Sequence, residues 1–337
     1  MKYDNPTVRT VVIRTPGGPD VMQTIEQPLP PVAAGQVRIQ TRAMGVSRPD
    51  VLIRKGVYSW MPPLPASPGN ELTGIVDAVG AGVEGLRPGA AVLLSARDLP
   101  VRGGCYTEAI CVPASAVYSL PDGADLDKAV VLPTYLVAYA MLHDMGARHG
   151  ASSVFISGAA GGIGGALVEL CKGLGLLVIG SVGSDEKGAH ALSLGASHVV
   201  NYRTEPLVDK VMEITGGRGV DLVFDHVIAP DFADLLGMLA DFGTLVFYNV
   251  HTPMPRDDVY ARMRALSTRS PALRCFNIHT YDRHPEHRRR LMNQVIELFA
   301  QGRIDPRVGA RLPMSAAAEA HRMLEAGAVI GKIVLHP

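Results

Sequence analysis

The stretch SSVFISGAAGGIGGALVELCK, residues 152–172, restricts the fold more than any other part of the chain. A short apolar run (Val154-Phe155-Ile156) leads into a glycine-rich turn, and the turn into an apolar segment that can form a helix. Strand, tight turn and helix in that order open a doubly wound α/β sheet. In the pattern G-x-G-x-x-G the glycines allow the turn, the approach of a diphosphate, and close packing of helix on strand. Here the register is Ala159-x-Gly161-x-x-Gly164, with Ala in the first place. Ala159, Ala160, Gly161, Gly162, Ile163 and Gly164 are therefore the candidate dinucleotide contacts. The helix N-terminus would offer them unpaired N–H groups. The same letters also fit G-x-x-x-G-x-G (Gly158, Gly162, Gly164). That variant requires Tyr-x-x-x-Lys, and Tyr202, Tyr248, Tyr260 and Tyr281 all lack a Lys four residues on.

Strand and helix patterns continue to alternate behind this unit. LLVIGSV, HVVNY, VDLVFDHV and TLVFYNV read as strands; DEKGAHALSLG, EPLVDKVMEITGG and DFADLLGMLADFG read as helices. Continuous Val/Ile/Leu runs joined by helical crossovers predict a parallel sheet covered on both faces. ALRCFNIHT (272–280) is a candidate sixth strand, followed by helices over 285–302 and 315–326 and a terminal strand KIVLHP. Residues 1 to about 126 read differently. RTVVIR, GQVRIQTRAMGV, LTGIVDAVG, AAVLLS and TEAICV are short strands broken by TPGG, LRPGA and PDGAD, which predicts a compact β-barrel or sandwich. With 337 residues the chain accommodates two domains.

Composition removes several classes. Lys plus Arg and Asp plus Glu both number 32, so a general nucleic-acid or anionic-membrane surface is not expected. The four cysteines (Cys105, Cys111, Cys171, Cys275) form no C-x-x-C pair and read as isolated thiols of a reducing compartment. The start MKYDNPTVRTVVIR has no apolar signal-like core, and no run of 18 apolar residues occurs, so a cytoplasmic protein is expected.

The end of the second Rossmann strand selects the cofactor. An acid there binds the ribose 2′-hydroxyl of NAD, whereas a cation accepts the 2′-phosphate of NADP. The sequence is IGSVGSDEK, with no acid directly after the strand. Gly183 leaves room, Ser184 offers a hydroxyl and Lys187 a positive charge, which favours NADPH. Asp185 and Glu186 read as first-turn acids that stabilise a helix N-terminus. Tyr202 and Arg203, after the third strand, are placed to close over the adenine side. Asn249, after the fifth strand, is a candidate neighbour of the nicotinamide or a turn residue.

GVSRPDVLIRKGVY, PGNELTGIVDAVGAGVEGLRPGAAV, VVNYR and the closing GKIVL, together with AAGGIGGALVELCK, resemble the zinc-independent quinone oxidoreductase branch of the medium-chain dehydrogenases/reductases. The resemblance covers nearly the whole chain. It implies an α/β fold with a GroES-like β-barrel catalytic domain (1–126), a Rossmann doubly wound parallel sheet (127–281), and a C-terminal return to the catalytic domain (282–337). It also implies a homodimer through the last Rossmann strand, 272–280. Zinc-dependent relatives carry Cys in GVCGTD, His in GHE and a later Cys; this chain has Ser47, Asn70 and Leu-Pro-Thr at 132–134. No metal is therefore expected. His284-x-x-His287 lies in a charged stretch and reads as a solvated helix start.

Without a Lewis acid, an acceptor must carry its own electron sink, as quinones and α,β-unsaturated carbonyls do. The expected activity is an NADPH-dependent, zinc-free reduction of such small molecules. The resemblance places Tyr58 where related enoyl thioester reductases have a catalytic Tyr, so it is the candidate proton donor or a pocket wall. Asp50 matches the family Asp and is either catalytic or holds its loop. Ser47 stands where an Asn is usual, and Val137 where relatives use a Thr against the cofactor. Trp60 and Met61 are expected to shape the acceptor pocket; Arg48 and Arg54 read as ordinary exposed arginines, with attraction of an anionic acceptor such as a CoA thioester as the minor alternative. The alternative is a non-catalytic NADPH-binding or sensing protein of the same fold.

Overall fold

The computed structural model describes residues 7–146, 150–229, 231–248 and 255–337. The chain opens with β1 (Thr7–Ile13), β2 (Met22–Pro28), β3 (Gln36–Val46), helix α1 (Arg48–Lys55), β4 (Glu71–Val79), β5 (Ala91–Ser95), β6 (Ala109–Pro113), β7 (Val117–Ser119), α2 (Leu126–Ala129) and α3 (Leu132–Met141). It continues with β8 (Ser153–Ile156), α4 (Gly162–Gly173), β9 (Leu177–Val182), α5 (Asp185–Leu194), β10 (His198–Asn201), α6 (Leu207–Ile214), β11 (Val220–Asp225), β12 (Leu239–Phe247), α7 (Val259–Ala265) and β13 (Ala272–Cys275). It closes with α8 (Pro285–Ala300), β14 (Val308–Pro313), α9 (Ala317–Ala326) and β15 (Lys332–His336).

These elements form two compact units. The first holds the chain up to Pro133 together with Met292–Pro337; the second is Thr134–Leu291. The boundaries lie seven and ten residues beyond those expected at 126/127 and 281/282. At the first, α2 packs on β3 and β4, and the Thr73 hydroxyl donates to the Leu126 carbonyl at 2.8 Å. At the second, the start of α8 is tied back by His287, which contacts Asp144, and by Arg288, which donates to Asp282 at 2.6 Å.

In the first unit, among the described residues, the strand order is β14-β15-β3-β4-β5-β7, with β6 also on β3 and a separate β1-β2 hairpin. The last strand, β15, runs antiparallel to β3, pairing Ile333 with Val46 and Leu335 with Met44. The alternating apolar positions of these strands meet in one core that includes Val37, Ile39, Leu72, Leu94 and Ile333. In the second unit β10-β9-β8-β11-β12-β13 form a parallel sheet. The Ser153–Ile156 strand is buried throughout, as an apolar run covered on both faces must be.

Two of the expected elements take a different form in the structure. Residues 231–243 form a 3-10 turn (Phe232–Met238) that passes directly into β12, instead of a helix. Gly237 interrupts the helical run, and a register shift opposite Val220 and Leu222 lets the strand start early. The sixth strand stops at Cys275, because Asn277 accepts from the His279 N–H at 3.0 Å and starts a 3-10 turn over Ile278–Arg283.

Candidate active site

In the second unit the site is built at the carboxyl ends of the sheet. A Cβ on Gly164 would lie 2.2 Å from the Gly158 carbonyl oxygen, and one on Gly180 would lie 2.5 Å from the Ala159 Cβ. Gly164 therefore packs backbone on backbone and Gly180 packs on the Ala159 methyl, and only glycine fits at these positions. Gly161 caps α4, and Gly161 and Gly162 are exposed where the helix N–H groups emerge. Ala159 and Ala160 are buried beneath them, and Ile163 is half-buried. This is a cradle that a dinucleotide diphosphate fits.

A second corner forms after β9 and β10. Ser184 caps α5, its hydroxyl accepting from the Lys187 N–H at 3.4 Å. A Cβ on Gly183 would lie 2.5 Å from the Tyr202 hydroxyl, so the half-exposed phenol lies over this glycine. Gly183, Ser184, Lys187 and Tyr202 are thus brought together. Asp185 and Glu186 are exposed in the first turn of α5. Asn249 lies outside the described residues. Three further residues, given no cofactor role by the sequence, lie near: Thr134 and His226 against the glycine turn, and Tyr248 against His226. The Thr134 methyl sits 3.6 Å from where a Gly162 Cβ would be, one helical turn before the buried Val137. His226 and Tyr248 follow β11 and β12 directly.

In the first unit Asp50 is the centre of a buried polar network. Its Oδ2 accepts from the Ser47 N–H (2.7 Å) and hydroxyl (2.8 Å), and its Oδ1 from the Gly69 N–H (3.1 Å) and the Asn70 amide (2.5 Å). The Tyr106 hydroxyl donates to Oδ2 at 3.4 Å. All of these partners donate, which suits an acceptor-only carboxylate. Burial raises Asp50 to about 6, helped by the charge of Glu71 and opposed by the Asn70 and Ser47 bonds. The Ser47–Asp50 link is the reciprocal cap that starts α1, a helix no apolar period announced; the S-x-x-D spacing was its signal.

The network continues outward. Tyr106 meets His321 Nε2 at 3.3 Å, and His321 Nδ1 meets Arg54 Nη1 at 3.3 Å. Arginine only donates, so Nδ1 accepts, and the Nε2–H is left to donate to Tyr106. Arg54 also donates to the Gly17 carbonyl (3.1 Å) and pairs with Glu325 (2.9 Å). Arg54 is 1% exposed, which corrects its reading as an exposed arginine and removes the alternative that it attracts an anionic acceptor; Arg48 is exposed. Next to Asp50, Glu71 pairs with Lys332 from the chain end. A Cβ on Gly45 would collide with both side chains, at 2.7 and 2.9 Å.

Tyr58 is 7% exposed and packs with Ile13, Leu52 and Ile53, with Met61 against them. Its ring lies 5.7 Å from that of Trp60, which is itself part-exposed. His287, expected to be solvated, instead contacts Asp144 at 3.0 Å, and Asp144 also accepts from Tyr281. These bonds offset burial and hold Asp144 below its ordinary range.

The Alcohol dehydrogenase GroES-like domain family matches residues 33–122, and the Zinc-binding dehydrogenase family matches residues 194–335. Quinone oxidoreductase of Salmonella typhimurium is 32% identical over 95% of this chain and 97% of its own length. The chain belongs to the zinc-independent quinone oxidoreductase family of medium-chain dehydrogenases/reductases. The rat synaptic vesicle membrane protein VAT-1 homolog is 30% identical over 98% of this chain and 85% of its own length. The structure of Escherichia coli quinone oxidoreductase complexed with NADPH matches with a TM-score of 0.84 at 28% identity, covering 98% of this chain and 100% of that one. One matched family is described as zinc-binding, but the donor set here does not fit zinc. Ser47 and Asn70 offer a hydroxyl and a carboxamide, both committed to Asp50.

Proposed function

We propose that the protein is an NADPH-dependent, metal-free reductase of quinones or of C=C bonds conjugated to a carbonyl. The observation that carries this reading is the β8–α4 turn, where Gly161 and Gly164 pack on the Gly158 carbonyl and the absent side chains at 158, 161, 162 and 164 leave a cradle. NADPH bound there supplies hydride to an acceptor with its own electron sink. The chain's own part is to hold and orient. The α4 N-terminus takes the diphosphate. Ser184, Lys187 and Tyr202 form the corner for the 2′-phosphate, with Lys187 supplying the positive charge. The E. coli relative solved with NADPH supports NADPH as the cofactor.

Tyr58 is the proposed proton donor to the reduced acceptor. It follows the left-handed Gly56 cap of α1, which turns the chain sharply and sets the phenol in an apolar surround. Asp50 acts on the reaction indirectly: it holds Ser47 and the 69–70 loop in place. NADPH consumption, followed anaerobically with a quinone and a simple enone, tests the proposal in wild type and Tyr58→Phe. Enone reduction that falls at least about tenfold in the variant supports a committed general acid. Quinone turnover unaffected by the substitution makes Tyr58 a pocket wall. Tight NADPH binding with no acceptor reduced establishes the non-catalytic alternative.

A further inference from the structure

The carboxyl ends of β8, β11 and β12 converge on a histidine–tyrosine pair. The strand order β10-β9-β8-β11-β12-β13 reverses direction between β8 and β11. In doubly wound sheets the ligand crevice opens at this reversal, outside the carboxyl ends. His226 follows β11 there, and Tyr248 follows β12. Gly158 has a positive φ of 62°, and a Cβ on it would lie 2.5 Å from His226 Cε1. The imidazole is thus pressed against the same turn that cradles the diphosphate.

The ring is held from several sides. It hydrogen-bonds the Ser157 backbone, and its Nδ1 lies 3.4 Å from the Tyr248 hydroxyl. The two rings are 5.6 Å apart at 30°. Asp225 fixes the turn that carries His226: it accepts from the Ser157 hydroxyl and from the Ile228 N–H at 2.8 Å. Ile228 sits at φ 46°, a left-handed conformation that is strained for a β-branched residue. Strain of this kind persists where the surrounding structure enforces it, and it concentrates at ligand sites. Burial lowers the basicity of His226, which keeps the ring neutral. A neutral ring that gives its one N–H to Ser157 through Nε2 has Nδ1 as the acceptor of the Tyr248 proton, and the Tyr248 oxygen then keeps lone pairs for a donor in the crevice.

The corner at Ser184, Lys187 and Tyr202 lies after β9 and β10, on one side of the reversal. A dinucleotide anchored there and at α4 must extend its other half over β11 and β12. We propose that Tyr248, oriented by His226, binds the nicotinamide-riboside half of the dinucleotide by accepting from a ribose hydroxyl or the carboxamide N–H. This rests on the NADPH reading above and extends it to the half that the glycine turn does not reach. Tyr248 is the contact; His226 is a positioning residue.

Calorimetric titration with NADPH and with adenosine 2′,5′-bisphosphate, which lacks the nicotinamide half, tests the pair. Tyr248→Phe and His226→Ala should weaken NADPH about tenfold, the scale of one lost hydrogen bond, and leave the bisphosphate within about twofold. His226→Asn, which keeps an acceptor near the Nδ1 position, should recover most of the affinity. Unchanged NADPH affinity in both variants overturns the pair. So does a parallel loss for the bisphosphate, which would mean that the turn itself was damaged. Wild-type protein that binds neither ligand overturns the NADPH reading as well.

Discussion

Asp50 shows how much one buried carboxylate decides. The folded protein keeps a proton on it up to about pH 6, whereas the ordinary group releases it near 3.8. Its contribution to stability is therefore full below 3.8 and is lost as pH rises through about 6, a swing of about 3 kcal/mol. Carboxyl NMR, with the Asp50 signal assigned by its absence in Asp50→Asn, should give a midpoint near 6; a midpoint near 4 would remove the argument. Phe242 is a different case. It is 81% exposed in β12, with a left-handed φ of 62°, so its ring gains little and its backbone is strained. Phe242→Gly should stabilise the protein by about 1 kcal/mol, read as a higher urea midpoint at unchanged slope. A lower midpoint would show that the ring has a partner that offsets the strain.

At the scale of elements, α1 and α9 are joined by a one-way chain of donors: Arg54 to His321, His321 to Tyr106, Tyr106 to Asp50. The chain holds only while His321 stays neutral. Burial, with the Arg54 charge, lowers it to about 4 from an ordinary 6.5. A lowered histidine gives its full contribution above 6.5 and loses it as pH falls toward 4, opposite in sign to Asp50 over the same interval. His321→Gln can accept from Arg54 and donate to Tyr106 without titrating. Between pH 7 and 4.5 its stability relative to wild type should rise by as much as about 3 kcal/mol in chemical denaturation. A flat difference would mean that His321 titrates normally.

At the scale of the whole molecule, β13 is an edge of the parallel sheet among the described residues. The Phe276 N–H donates to the Phe247 carbonyl, so residues of that parity face β12, while Leu273 and Cys275 turn their backbone groups outward. Cys275 is exposed, and such an edge is a template for a second copy. If the homodimer implied by the resemblance forms here, Cys275→Pro should remove an outward donor, spare the β12 ladder and shift sedimentation from dimer to monomer. A variant that sediments like a dimeric wild type would place the interface elsewhere.

The sequence by itself determined the parallel sheet, the glycine turn at 158–164 and the corner at 183–187 and 202. These depend on local periodicity and on positions where only a missing Cβ fits, and both are written in neighbouring residues. The absence of zinc-type donors at 47 and 70 was equally legible, because a ligand's identity is a property of one side chain. Only the tertiary structure decided what those side chains do. Asp50 collects donors from residues 47, 69, 70 and 106, and Arg54 meets residues 267 and 271 positions further along the chain. Burial is what turned Arg54 from an expected surface cation into a core tie, and it is what shifted Asp50 and His321 in opposite directions. Both effects arise from the loss of solvent around a charge, and no window of sequence contains the atoms that displace that solvent.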